Sequence, residues 1–152
     1  MFWFDKQNPH AVFVDNRTFS GVCCDGRTVN VAPDIIADFT ALPFDDKQFK
    51  LVVFDPPHIA NAGKGSWIAQ KYGRLGAGWE QMLKQGFGEC MRVLDDYGVL
   101  VFKWSAVQIT VTRILQIVGQ QPLFGHKSGK ASNTHWMCFM RIPEVKACAQ
   151  NN

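Results

Sequence analysis

The sequence predicts one α/β domain with a mostly parallel sheet that closes on a C-terminal antiparallel hairpin, and three patterns predict it. Short apolar runs end in carboxylates at Ala11-Val12-Phe13-Val14-Asp15 and at Leu51-Val52-Val53-Phe54-Asp55. Trp79, Met82, Leu83, Phe87, Cys90, Met91 and Leu94 recur at three- and four-residue steps, the period of a helix with one apolar face. Val99-Leu100-Val101-Phe102 then comes as an unbroken apolar run, as in a buried parallel strand. A chain of 152 residues is long enough to bury a core of its own and fits a single domain.

The first strand covers 11–15. The polar stretch 16–30 carries Asp25-Gly26 at its centre, a pair that favours a tight hairpin turn, so Gly21-Val22-Cys23-Cys24 and Thr28-Val29-Asn30-Val31 read as its arms. A strand over 35–37 leads into a Leu42-Pro43-Phe44 turn too short for a full helix, and then into the strand ending at Asp55. Residues 59–78 hold Gly63, Gly65, Gly73, Gly76 and Gly78 among Lys64, Trp67, Lys71, Tyr72 and Arg74, a long loop with one turn of helix over 66–72. The helix over 79–94 stops at Asp95-Asp96-Tyr97-Gly98, and the strand 99–102 comes next. A second helix is expected over 107–118, with Ile109, Val111, Ile114, Leu115 and Val118 apolar. Leu123-Phe124 and Thr134-His135-Trp136-Met137-Cys138-Phe139-Met140 form the closing hairpin. The domain spans 1–143, and 144–152 read as a flexible tail.

Composition narrows the function classes. A formal net charge of +3 is too small to establish a nucleic-acid partner by itself. No apolar run approaches the roughly 20 residues that cross a bilayer, so no membrane partner is expected. The start Asp5-Lys6-Gln7-Asn8-Pro9 lacks a secretory pattern, which points to a cytoplasmic setting. Five cysteines, two of them adjacent at Cys23 and Cys24, make no disulfide framework; they are expected to be reduced, with Cys90 and Cys138 in the core. No matched set of closely spaced ligands surrounds His126 or His135, so no metal is expected.

Asp55-Pro56-Pro57-His58 is where the chemistry is expected. Ligands of open α/β sheets bind at the carboxyl ends of the strands. Each proline fixes φ and removes a backbone donor, which leaves nearby carbonyls free to act as acceptors for a substrate amino group. The other reading is a strand-ending turn in which Asp55 only caps the next stretch of backbone and the prolines only stop the strand.

Residues 37–57 resemble the adenosine-binding strand, "LPF" turn and following strand of class I S-adenosylmethionine-dependent methyltransferases, most sharply at Asp38, Leu42-Pro43-Phe44 and Phe49. The Asp-Pro-Pro-ring tetrad is similar to motif IV of the amino-methyltransferases, which act on exocyclic nitrogens of adenine or cytosine and on related amides. The helix over 79–94 with its acidic turn and strand, and the final hairpin, resemble the corresponding elements of that fold, so the likeness covers about residues 32–141. It implies a Rossmann-like class I methyltransferase fold with S-adenosylmethionine as cofactor. Asp38 would accept from the cofactor's adenine amino group, and the backbone of Phe39 would meet the adenine edge. Asp55 and the Pro56 carbonyl would hold the target amino group, Pro57 would complete the tetrad and His58 would stack on the target ring. Tyrosine or phenylalanine usually stands where His58 does. The chain also lacks the Gly-x-Gly turn that carries the methionine end, since Gly21 and Gly26 stand alone; the fold is therefore read as truncated at its N-terminal glycine-rich βα unit. The segment 11–15 is similar to the family's ribose-binding strand and makes Asp15 a candidate for the ribose, an Asp15-Asn16 turn without a ligand being the alternative.

Beyond the tetrad, Lys64 and Lys71 with Trp67 and Tyr72 form a basic, aromatic loop that suits phosphates and stacked bases; a lid and a solvated surface loop are the other readings. Lys127, Lys130 and Arg141 around His126 are expected to flank the same cleft. Lys103-Trp104 comes directly after the fifth strand and either lines the cleft, with Trp104 on a base and Lys103 on a phosphate or Asp55, or splits into a core tryptophan and a solvated lysine. The expected activity is methylation of an exocyclic amino group, adenine N6 of DNA or RNA first, by a small phage-type enzyme that works on flipped or single-stranded bases, or through a partner subunit or homodimer. The alternative is a non-catalytic module that binds nucleic acid or a partner subunit. A protein-amide or small-molecule substrate is a third reading.

Overall fold

A computed structural model describes residues 3–22, 26, 28–61, 73–129 and 131–143. The basic aromatic loop at 62–72, Lys130 and the tail 144–152 lie outside the described residues.

Strand β1 (Val14–Asp15) pairs in parallel with β4 (Ile35–Ile36), and between them β2 (Phe19–Val22) and β3 (Thr28–Val31) form the expected antiparallel hairpin. Gly26 supplies a positive φ of 80° in its turn. The remaining strands make a four-stranded mixed sheet: β5 (Phe49–Phe54), β6 (Leu94–Ser105), β7 (Phe124–Lys127) and β8 (Thr134–Met140) in the order β5-β6-β8-β7. Parallel pairing is confined to β1–β4 and β5–β6, while β6–β8 and β7–β8 are antiparallel. The α/β class and the closing hairpin are therefore as the sequence predicts.

Helix α1 (Trp79–Val93) crosses from β5 to β6 and buries Leu83, Phe87 and Cys90 of the expected periodic face, together with Gly86 and Val93. The strand after it is longer than expected. Leu94 pairs with Phe49 and Val99 with Leu51, so the acidic turn 95–98 is a bulge inside β6 rather than a break before it. Tyr97 takes a left-handed φ of 62° there, and a Cβ on Gly98 would lie 2.8 Å from the Asp95 carbonyl, which requires glycine.

Helix α2 (Val111–Val118) starts four residues later than expected. Thr110 is its N-cap, its hydroxyl accepting from the Arg113 amide at 3.3 Å, because a threonine side chain satisfies a free N–H better at a helix start than inside. Gly119, at φ 71°, closes the other end on the Leu115 carbonyl at 3.0 Å.

Alternation along the strands divides the sheet into two faces. Phe54, Leu100, Phe102, Trp104, Met137 and Phe139 are buried in the same core as Leu83, Phe87 and Ile114 of the helices. Val99, Val101 and Lys103 of β6, with Cys138 and Trp136 opposite the last two, alternate onto the other face. Burial pushes the Cys90 thiol up to about 12, so it is an inert core group.

Candidate functional site

The parallel pairing of Phe54 with Phe102 places Asp55, the residue just beyond the end of β5, alongside Lys103 of β6. Asp55 and Lys103 meet there: the Lys103 ammonium donates to Asp55 Oδ2 at 2.7 Å. Asp55 Oδ1 accepts no hydrogen bond from the described residues. Antiparallel register then places Trp136 opposite Lys103 and His126 opposite Trp136. The Lys103 nitrogen lies 5.9 Å from the Trp136 ring centre, and the indole N–H donates to Ser128 Oγ at 2.9 Å. A polar and aromatic row, Asp55-Lys103-Trp136-His126, thus runs across all four strands near the carboxyl ends of β5 and β6.

The rest of the tetrad is fixed from behind. Pro56 is buried, and Gly73, at φ 77°, comes so close to Pro57 that a Cβ there would lie 3.2 Å from its ring. Gln108 Oε1 accepts from the amides of Ala60 and Asn61 at 2.8 and 2.9 Å, while its amide nitrogen donates to the Asn61 carbonyl at 2.9 Å. Leu75 donates to the Ile59 carbonyl at 2.9 Å, which brings the chain on either side of the 60–74 segment together. His58 is half-buried, its ring edge-on to Trp104 at 6.2 Å, and the Pro56 carbonyl accepts from it. Burial holds its imidazole below the ordinary range; the Asp55 carboxylate opposes that shift and the Lys103 ammonium adds to it.

Several expected contributors lie elsewhere. Trp104 is fully buried and donates its indole N–H to the Ile109 carbonyl at 2.9 Å, so it closes the core and does not stack on a substrate. Arg141 belongs to the far end of β8, where it donates to the carbonyls of Met91, Arg92 and Leu94 at 2.7 to 2.9 Å and caps α1; it does not flank the cleft. His126 and Lys127 do lie at the Asp55 end of the sheet. Lys64, Trp67, Lys71 and Tyr72 fall outside the described residues.

The two acidic candidates for the cofactor come together because β1 and β4 are parallel and in register, Asp15 opposite Ile36. Asp15 accepts from the backbone and side chain of Arg17, both at 3.2 Å. Asp38 accepts from the Thr40 amide at 2.9 Å and its hydroxyl at 2.7 Å, and from Asn16. The Thr40 amide, more than any other partner, holds the Asp38 carboxyl below the usual range. Phe39 packs its ring on Phe54 at 5.5 Å, joining this acidic corner to the strand that presents Asp55. The Leu42-Pro43-Phe44 turn is held by α1: Glu89 accepts from the Leu42 amide, and Arg92 donates to the Leu42 and Phe44 carbonyls at 3.0 and 2.9 Å.

Trp136, Gln108 and Gly73 are the site residues that sequence reasoning misses. Trp136 acquires its place only through the β6–β8 register, and nothing local marks the other two. No group of three metal-ligating side chains gathers among the described residues, and no described helix is long and apolar enough to cross a membrane. No protein-family model matches the chain, and no curated protein matches its sequence.

Proposed function

We propose that the protein is an S-adenosylmethionine-dependent methyltransferase acting on an exocyclic amino group, adenine N6 of DNA or RNA being the best-fitting substrate. The observation that carries this reading is a carboxylate at the end of a parallel strand with one oxygen held by Lys103 and the other accepting no hydrogen bond from the described residues. The residues fit the adenosine half of the cofactor: two acidic side chains, Asp15 and Asp38, at the carboxyl ends of adjacent parallel strands. Among the described residues no left-handed glycine comes directly after a parallel strand to make a turn for the methionine half.

S-adenosylmethionine would supply a sulfonium methyl group to the amine lone pair, the C–S electrons staying on sulfur and the extra proton going to solvent. Asp55 Oδ1 would accept from the target amino group and aim its lone pair, and the half-buried His58 ring would wall the planar substrate. Such a reaction is limited by positioning, which fixed acceptors supply.

One observation favours a second reading, a binding module without catalysis: the Pro56 carbonyl, expected to hold the target amine, is engaged by His58. Calorimetry with S-adenosylmethionine, with S-adenosylhomocysteine as competitor, separates the two. Saturable micromolar binding, about −8 kcal/mol, with methyl transfer to a single-stranded adenine-containing oligonucleotide that Asp55→Ala abolishes, supports the enzyme. Oligonucleotide binding without cofactor binding supports the module.

A further inference from the structure

We propose that Lys103 is a positioning residue: its ammonium pins one oxygen of the Asp55 carboxylate and so turns the other toward the incoming amino group. This inference rests on the methyltransferase reading above. The side chains of Lys103 and Asp55 are 19% and 33% exposed, so their 2.7 Å contact is a charge-assisted bond only partly open to water. Lys103 is itself confined. Its alternation along β6 sends it to the Asp55 side, and Trp136, tied to Ser128, stands beside it as a wall.

The chemistry decides what such a lysine does. A carboxylate offers about four lone-pair sites, and among the described residues only Oδ2 of Asp55 is used. Rotation about its terminal torsion is otherwise broad and roughly two-fold. Held at Oδ2, the group presents Oδ1 in one direction. The ammonium cannot assist by charge, because the attacking nitrogen becomes positive during transfer and a neighbouring cation opposes that. Orientation is therefore the contribution, and misplacing a reacting group by about 1 Å can cost about a hundredfold in rate.

Two measurements on the full chain test the assignment. In nitrogen-edited NMR the Lys103 ammonium gives a slowly exchanging signal that Asp55→Ala removes while the circular dichroism spectrum stays native. A signal missing from the wild type, or indifferent to Asp55→Ala, overturns the proposal whatever the activity. With methyl-tritiated S-adenosylmethionine and a single-stranded adenine-containing oligonucleotide, Lys103→Met lowers kcat at least about tenfold with KM for the oligonucleotide unchanged, and Lys103→Arg recovers most of the loss. Unchanged kcat in Lys103→Met, or a defect confined to KM, overturns it, the latter showing a phosphate grip instead. A wild-type protein that transfers no methyl group defeats the methyltransferase reading, and the positioning role falls with it.

Discussion

Burial lowers the proton affinity of the His58 imidazole below its ordinary value, which favours its neutral form. Its folded value lies below the ordinary 6.5, so as pH falls the unfolded chain takes up this proton first. The stability that goes with a neutral His58 is complete above about pH 6.5 and is lost as pH falls through the depressed folded value. His58→Phe should flatten the thermal midpoint against pH in that acid range and retain methyl transfer; an unchanged pH profile would place the titration elsewhere. Residue-level legibility was uneven for a physical reason. Asp55 could be read because an apolar run ending in Asp-Pro-Pro marks a strand end wherever it occurs. Which of two adjacent residues, Lys103 or Trp104, faces the cleft depends on which side of the sheet the helices cover, and neighbouring letters do not carry that.

At the scale of elements, α1 meets the strands most closely at Gly86. A Cβ there would lie within 2.6 Å of Phe39 Cε2 and 3.3 Å from Phe54 Cζ. Alanine is intrinsically better in a helix by up to about 1 kcal/mol, but forced overpacking costs about 1–3 kcal/mol. Gly86→Ala should therefore destabilise the fold, and more so because Phe39 ties the Asp38 corner to β5; urea denaturation measures it, and a stabilised variant would show that Phe39 moves aside freely. The periodic face of α1 was plain in the sequence because its core residues repeat at helical spacing along it. The bulge at 95–98 and the delayed start of α2 were not: one arises from pairing with a distant strand, the other from a single capping hydroxyl.

For the whole molecule, the sequence conveyed the α/β class and the antiparallel close, but not the strand order or the register that lines up Asp55, Lys103, Trp136 and His126. Those depend on partners far away along the chain; Asp55 and Lys103 alone are separated by 48 positions. A cofactor that binds only the folded protein should raise its midpoint. At a hundred times its dissociation constant the gain is about 2.7 kcal/mol, or roughly 5–10 °C for a chain of this size. Differential scanning calorimetry with S-adenosylmethionine checks this, and no shift at millimolar cofactor would count against the proposed binding of adenosine at Asp15 and Asp38.

The order β5-β6-β8-β7 has a consequence for biosynthesis. The strand that sits between β6 and β7 is translated after both of them, so on the ribosome β7 has no neighbour in the sheet and Lys103 lacks Trp136 until Thr134–Met140 has emerged. Assembly of the sheet must wait for β8 to insert, which delays the row Asp55-Lys103-Trp136-His126 until that strand has been made and leaves shorter nascent chains with open edges for chaperones to cover.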